Sequence, residues 1–181
     1  LKYWENPYII KENKEDGHNT AMPYASAKDA AALGDAPTKF SLAGTWKFYW
    51  QQGVDDLRTD YYGDFFDDSD WDTMEMPGTW RENGLDVSGT VWMRKDFELP
   101  ASMDGRHARL SMGTLVHNDK VYVNGVYVGS TGYEYPPRRY HIPAGILREG
   151  KNTIAVRLDA PAGNGKQLPV SLHLRKSSLC H

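Results

Sequence analysis

The 181-residue sequence contains one cysteine, Cys180, beside its C-terminus. A lone thiol cannot close an internal disulfide, so the fold has no covalent staple and cysteine usage leaves the redox compartment open. No apolar run approaches the roughly 20 residues that a membrane-spanning helix needs. Cationic excess is missing too: 21 Lys and Arg stand against 24 Asp and Glu, giving a net charge of -3 with the signs interspersed. Nucleic-acid binding needs a basic surface that displaces counterions, so nothing here recommends a polyanion partner. The histidines, His18, His107, His117, His141, His173 and His181, form neither a His-x-His nor an i, i+4 pair. That spacing speaks against zinc. Ser41, Ser88, Ser111 and Ser130 all lack a Gly-x-Ser-x-Gly context, so there is no nucleophile elbow.

What remains is an ordinary globular composition, 40% hydrophobic and 25% charged, of a length that suits one domain with a real core. Aromatic residues are abundant, with six Trp and eleven Tyr. Such rings suit both β-sandwich cores and sugar-stacking surfaces. The chain starts at Leu1 and shows no signal peptide, which reads as a mature or trimmed piece of something longer.

Residues 1–40 are polar and carry no alternating run. They are expected to form an extended arm across the domain, anchored by Trp4, Tyr8, Ile9 and Ile10, with one short helix over Ser26–Leu33 capped by Ser26 and Asp29. From Phe40 the period becomes two. Trp46, Phe48 and Trp50 face one way, Lys47 and Tyr49 the other; Ala108, Leu110 and Met112 alternate with Arg109 and Ser111; Ile154, Val156 and Leu158 alternate with Thr153, Ala155 and Arg157. Each reads as a half-buried strand. Further strands are expected at Val91–Leu99, Arg138–Ile142 and Val170–Leu174, and a short helical turn at Pro143–Leu147, stopped by Glu149-Gly150. Val121–Val128 has Asn124-Gly125 at its middle, the pair that readily takes a type I′ turn. The expected register sets Val123 against Val126 and Val121 against Val128 on one face, and Tyr122 against Tyr127 on the other. Many short strands between Gly, Pro and Asn turns predict an all-β antiparallel sandwich of jelly-roll type.

Five segments in succession, SLAGTWKFYW (Ser41–Trp50), FDDSDWDTMEMPGTW (Phe66–Trp80), VWMRKDFELP (Val91–Pro100), KVYVNGVYVG (Lys120–Gly129) and IPAGILREGKNTIAVRL (Ile142–Leu158), resemble the N-terminal galactose-binding-like jelly roll of family 2 glycoside hydrolases. WENP (Trp4–Pro7), His18-Asn19-Thr20 and PYA (Pro23–Ala25) are similar to the entry segment of the β-galactosidases in that family. Arg138–Leu158 is equally similar to the jelly roll of sialate O-acetylesterases. The β-galactosidase resemblance implies an arm at 1–40, a sugar-binding-type domain at 41–176 and a tail at 177–181. It also implies carbohydrate and a catalytic (β/α)8 barrel of the same parent protein as partners, no cofactor, and a periplasmic or secreted bacterial setting. Two departures limit it. The loop Arg81–Thr90 is short and its Asn83 does not match the family's sugar-contacting Asn. Asp159–Pro169 replaces the segment that lends an Asp to the galactose site. Neither contribution carries over.

Glycoside hydrolysis needs two carboxyls flanking the bond. In the family these lie in the barrel, which 181 residues cannot also hold. Asp96 and Glu98 share a strand face, but nothing apolar surrounds them to raise a pKa, and they read as a solvated face. Asp67, Asp68, Asp70 and Asp72 could offer oxygens to calcium. Their spacing lacks the Asp-x-Asp-x-Asp-Gly loop, and a structural turn, with Trp71 plugging the core, is the preferred reading. For sugar contact or docking the candidates are Tyr133, Tyr135, Arg138 and Arg139 around Pro136-Pro137, with Trp80 and Asn164 nearby. Aromatic rings stack on sugar faces, yet Tyr and Arg also dominate protein interfaces. Docking is preferred to free-standing sugar binding, and Trp46, Trp50, Trp71 and Trp92 are assigned to the core.

Overall fold

The structure, a computed structural model, describes residues 11–12, 39–51, 60–80, 83, 89–115, 118–133, 136–160 and 173–176. The expected helix at Ser26–Leu33, the arm anchors Trp4, Tyr8, Ile9 and Ile10, and the site candidates Tyr135 and Asn164 lie outside those residues. Eleven strands are described: β1 Lys11–Glu12, β2 Lys39–Ser41, β3 Gly44–Gln51, β4 Asp72–Met76, β5 Gly89–Leu99, β6 Ala108–Met112, β7 Asn118–Val123, β8 Val126–Thr131, β9 Arg138–Ile142, β10 Gly150–Ala160 and β11 His173–Lys176. They form a seven-stranded sheet, ordered β1-β8-β7-β10-β5-β3-β4, and a four-stranded sheet, ordered β2-β11-β6-β9. Every described pairing is antiparallel.

The alternation seen in the sequence decides what the two layers enclose. Trp46 and Phe48 from β3, Val91 and Met93 from β5, Leu110 and Met112 from β6, Val123 from β7, and Ile154, Val156 and Leu158 from β10 form one buried cluster. Each such side chain contributes about 1.5–3 kcal/mol by leaving water. The Trp46 indole Nε1 donates to Leu42 O at 2.8 Å, so this buried ring keeps its polar atom satisfied.

Several expectations need correction. Asn124 (φ 49°) and Gly125 (φ 77°) do make the left-handed turn, and Val123 pairs with Val126 and Tyr122 with Tyr127. Beyond them the register slips: Val121 pairs with Gly129, not Val128, across a bulge between Val121 and Tyr122. The extra residue lets both Val121 and Val128 reach the interior while Val126 stays 46% exposed. Pro143–Leu147 is a turn followed by a bend, not helix; Gly145 sits at φ 86°, a conformation no α-helix contains. The last described strand, His173–Lys176, includes His173 and Leu174 of the expected Val170–Leu174, whose first three residues lie outside the described ones.

Trp71 and Trp92 are not in the main core. They belong to a second aromatic layer on the outer face of the large sheet. Tyr49, Trp92 and Tyr122 point out of that sheet, and Tyr61, Tyr62, Phe66 and Trp71 from the loop at 60–71 cover them. Tyr62 and Tyr122 stack at 4.4 Å between centroids, and Tyr49 stacks on Trp71 at 5.6 Å.

Candidate functional site

The acidic loop is held by charges on the sheet beneath it. Lys47 of β3 lies opposite Arg94 of β5, and like charges in that position repel. Asp68 sits between them, 2.7 Å from the Lys47 Nζ and 2.8 Å from the Arg94 Nε. Arg94 is only 2% exposed, and its Nη1 also donates to the carbonyls of Tyr61 (2.6 Å) and Gly63 (3.1 Å). Burial pulls the Asp68 carboxyl up, but the hydrogen bonds and charges of Lys47 and Arg94 outweigh it, and its pKa falls below the ordinary value. Asp67 accepts the backbone N–H of Ser69 at 3.0 Å, an Asx-type turn. These carboxylates brace a loop. Among the described residues no group of three or more His, Cys, Asp or Glu side chains could hold a metal ion.

The rim around Pro136-Pro137 is built from below. Arg138 is fully buried and pairs with the equally buried Asp119, Nε to Oδ1 at 2.6 Å. Its remaining donors hold the loop backbone: Nη1 donates to Pro136 O and Nη2 to Tyr133 O, each at 2.9 Å. Asp119 also accepts the Tyr140 hydroxyl, which is bonded in turn to Thr131 Oγ1 at 2.8 Å. Burial, then the Asp119 charge, pushes the Tyr140 pKa far up, so this phenol stays protonated. Arg138 is therefore not a surface contact, as the sequence had suggested; it positions the rim. Trp80 is corrected likewise, since at 3% exposure it packs in the core and offers no face to a sugar.

Tyr133 and Arg139 are half-buried at the rim. Arg139 shares the outer face of the small sheet with Arg109, Ser111 and His141, and its Nη1 is buried without a hydrogen-bond partner. His107 stacks on His141 there, with Nδ1 3.3 Å from Nε2. Asn83 turns out to be structural. Its side-chain amide accepts Glu75 N–H at 2.9 Å and donates to Thr79 O at 2.9 Å, closing the turn after β4. Asp96 accepts Thr153 Oγ1 at 2.7 Å and pairs with Lys151 at an exposed position. Asp119 and Thr131 escaped the sequence reading. The available signal was position: Asp119 alternates with Val121 and Val123, and Arg138 with Tyr140 and Ile142, on inward-facing rows.

No family model matches the chain. It is 26% identical to a β-galactosidase of Clostridium acetobutylicum over 87% of its own length and 20% of that protein's. It is 24% identical to a β-galactosidase of Priestia megaterium over 84% of its length and 17% of the relative's. A solved family 2 glycoside hydrolase from Bacteroides cellulosilyticus superposes with TM-score 0.60 and 22% identity, over 76% of this chain and 20% of that one. The chain is thus similar in sequence to these β-galactosidases and in fold to a family 2 glycoside hydrolase. It spans about a fifth of the length of the relatives it matches. That similarity agrees with the all-β sandwich and with the five segments that carry the resemblance: SLAGTWKFYW is β3 with its approach, VWMRKDFELP runs along β5, and KVYVNGVYVG is the β7–β8 hairpin.

Proposed function

We propose that this chain is a non-catalytic, sugar-binding-type module of a β-galactosidase-like family 2 enzyme. It docks on the catalytic (β/α)8 barrel of the same protein and helps shape the rim of its substrate cleft. The observation that carries the reading is a match along more than four fifths of this chain to about a fifth of each β-galactosidase. A module of that share contributes surface and support rather than a reaction centre. The rim loop suits such a role: Arg138 holds its backbone at two carbonyls, so Tyr133 and Arg139 are presented from a prearranged frame. Carbohydrate is the ligand class for the assembled cleft, and no metal or organic cofactor enters the proposal.

The purified chain, assayed with nitrophenyl β-galactoside and β-glucuronide, is expected to release no nitrophenol above buffer. Turnover by the chain alone would end this reading. Calorimetric titration with galactosides separates docking from free-standing sugar binding. Silence supports docking, whereas millimolar or tighter binding lost in Tyr135→Ala supports a lectin role.

A further inference from the structure

Three large apolar side chains among the described residues stand exposed: Phe65 at 98%, Val126 at 46% and Tyr127 at 37%. Phe65 and Tyr127 belong to the outer side of the large sheet at one corner, whereas Val126, paired with Val123, points to the opposite face. Phe65 follows Asp64, whose backbone N would lie 3.5 Å from a Cβ on Gly125, and Gly125 precedes Val126 and Tyr127. The ring of Tyr122, stacked on Tyr62 from the loop, also meets Tyr127. Loop and hairpin thus form one surface. Scattered apolar residues on a surface need no explanation, but a contiguous group of them marks an interaction site.

The loop that presents Phe65 is rigid for reasons unrelated to Phe65. Gly63 N donates to Asp60 O at 2.9 Å, and Arg94 holds the Tyr61 and Gly63 carbonyls. Asp64 takes Arg148 Nη2 on both oxygens at 2.8 and 3.0 Å. Phe66 turns inward against Tyr61 and Trp71. Phe65 is left pointing outward beside an open cleft of about 510 Å³ lined by Asp60, Asp64, Phe66 and Asp67. An aromatic anchor on a fixed backbone in an acidic surround is complementary to an apolar pocket with a cationic rim.

We infer that Phe65 on its loop, with Tyr127 beside it, is a docking knob that seats in an apolar, Lys/Arg-rimmed socket on the catalytic region of the same glycoside hydrolase. The inference rests on the proposed function and names the surface that carries it. The occupant follows from length as well as charge: about four fifths of each matched relative lies outside the aligned share, ample for such a socket.

The test measures binding of the 181-residue chain to the catalytic region encoded with it, produced as a separate polypeptide. Phe65→Ser is expected to weaken binding at least tenfold while leaving the thermal midpoint of the chain itself unchanged, since the ring touches little in the free chain. Asp67→Asn keeps the acceptor for Ser69 and is expected to weaken binding a few-fold at low salt, with the difference vanishing at high salt. If the parent chain binds and Phe65→Ser binds equally well, docking stands but this surface is wrong. If the parent chain does not bind, the proposed function falls with the inference. Loss of galactoside binding in Phe65→Ser, with docking intact, would make the loop a sugar platform and overturn the knob.

Discussion

Arg138 and Asp119 carry opposite charges at positions with 0% and 2% exposure. Each removes the reason for the other to be expelled, and every remaining donor of the guanidinium that is described has a carbonyl to meet. Breaking such a pair strands a charge in an apolar interior and costs about 3–5 kcal/mol. Arg138→Met is therefore expected to lower unfolding free energy by roughly that amount in urea titrations. Replacing both partners, Arg138→Met with Asp119→Leu, should recover a substantial part. An additive loss in the double variant would show that the pair is not the reason. Asp68 gives a pH dependence of defined sign. Its folded-state pKa is depressed, so its contribution is full above the unfolded value of about 3.9 and is lost as pH falls through the folded value. Asp68→Asn should flatten the acid limb of the stability curve below about pH 4. An unchanged limb would assign acid unfolding to other carboxylates.

The β7–β8 hairpin turns on Gly125 at φ 77°, where a Cβ would meet Asp64 only at ordinary contact distance. Strain rather than collision decides the outcome. Gly125→Ala is expected to cost about 1–2 kcal/mol, read as a shift in the urea midpoint. A neutral result would mean that the turn adapts freely. This hairpin also shows what could be read from sequence. Period-two alternation located β3, β6 and β10, because burying one face imposes it on the residues themselves, and Asn124-Gly125 located the β7–β8 hairpin. The bulge at Val121/Tyr122 was hidden, since Val121 and Val128 are apolar in either register and only the packed sheet chooses between them. The outer aromatic layer was hidden for a similar reason. A Trp looks the same whether it fills the space between two sheets or the space beneath a loop. Of the candidate site, the rim segment was recognisable from its aromatics and arginines, but the inward direction of Arg138 was missed although its strand alternation already implied it.

At the scale of the molecule, two sheets of unequal width share one interior, and a loop seals part of the wide sheet from outside. Trp46 and Trp80 report on that interior and Trp92 on the outer layer, all at 3% exposure or less. If the layers are one cooperative unit, tryptophan emission and far-ultraviolet circular dichroism should follow a single coincident urea transition. Separated transitions would make the outer layer an independent unit. Because Tyr133 and Pro136 are each held through a main-chain carbonyl by Arg138, the side chains of these two residues are released from any duty to the scaffold. A library randomised at positions 133, 136 and 137 should stay largely soluble, while one randomised at position 138 should mostly aggregate. Descendants of this scaffold could thus exchange the outward chemistry of the loop again and again, and inherit the same skeleton each time.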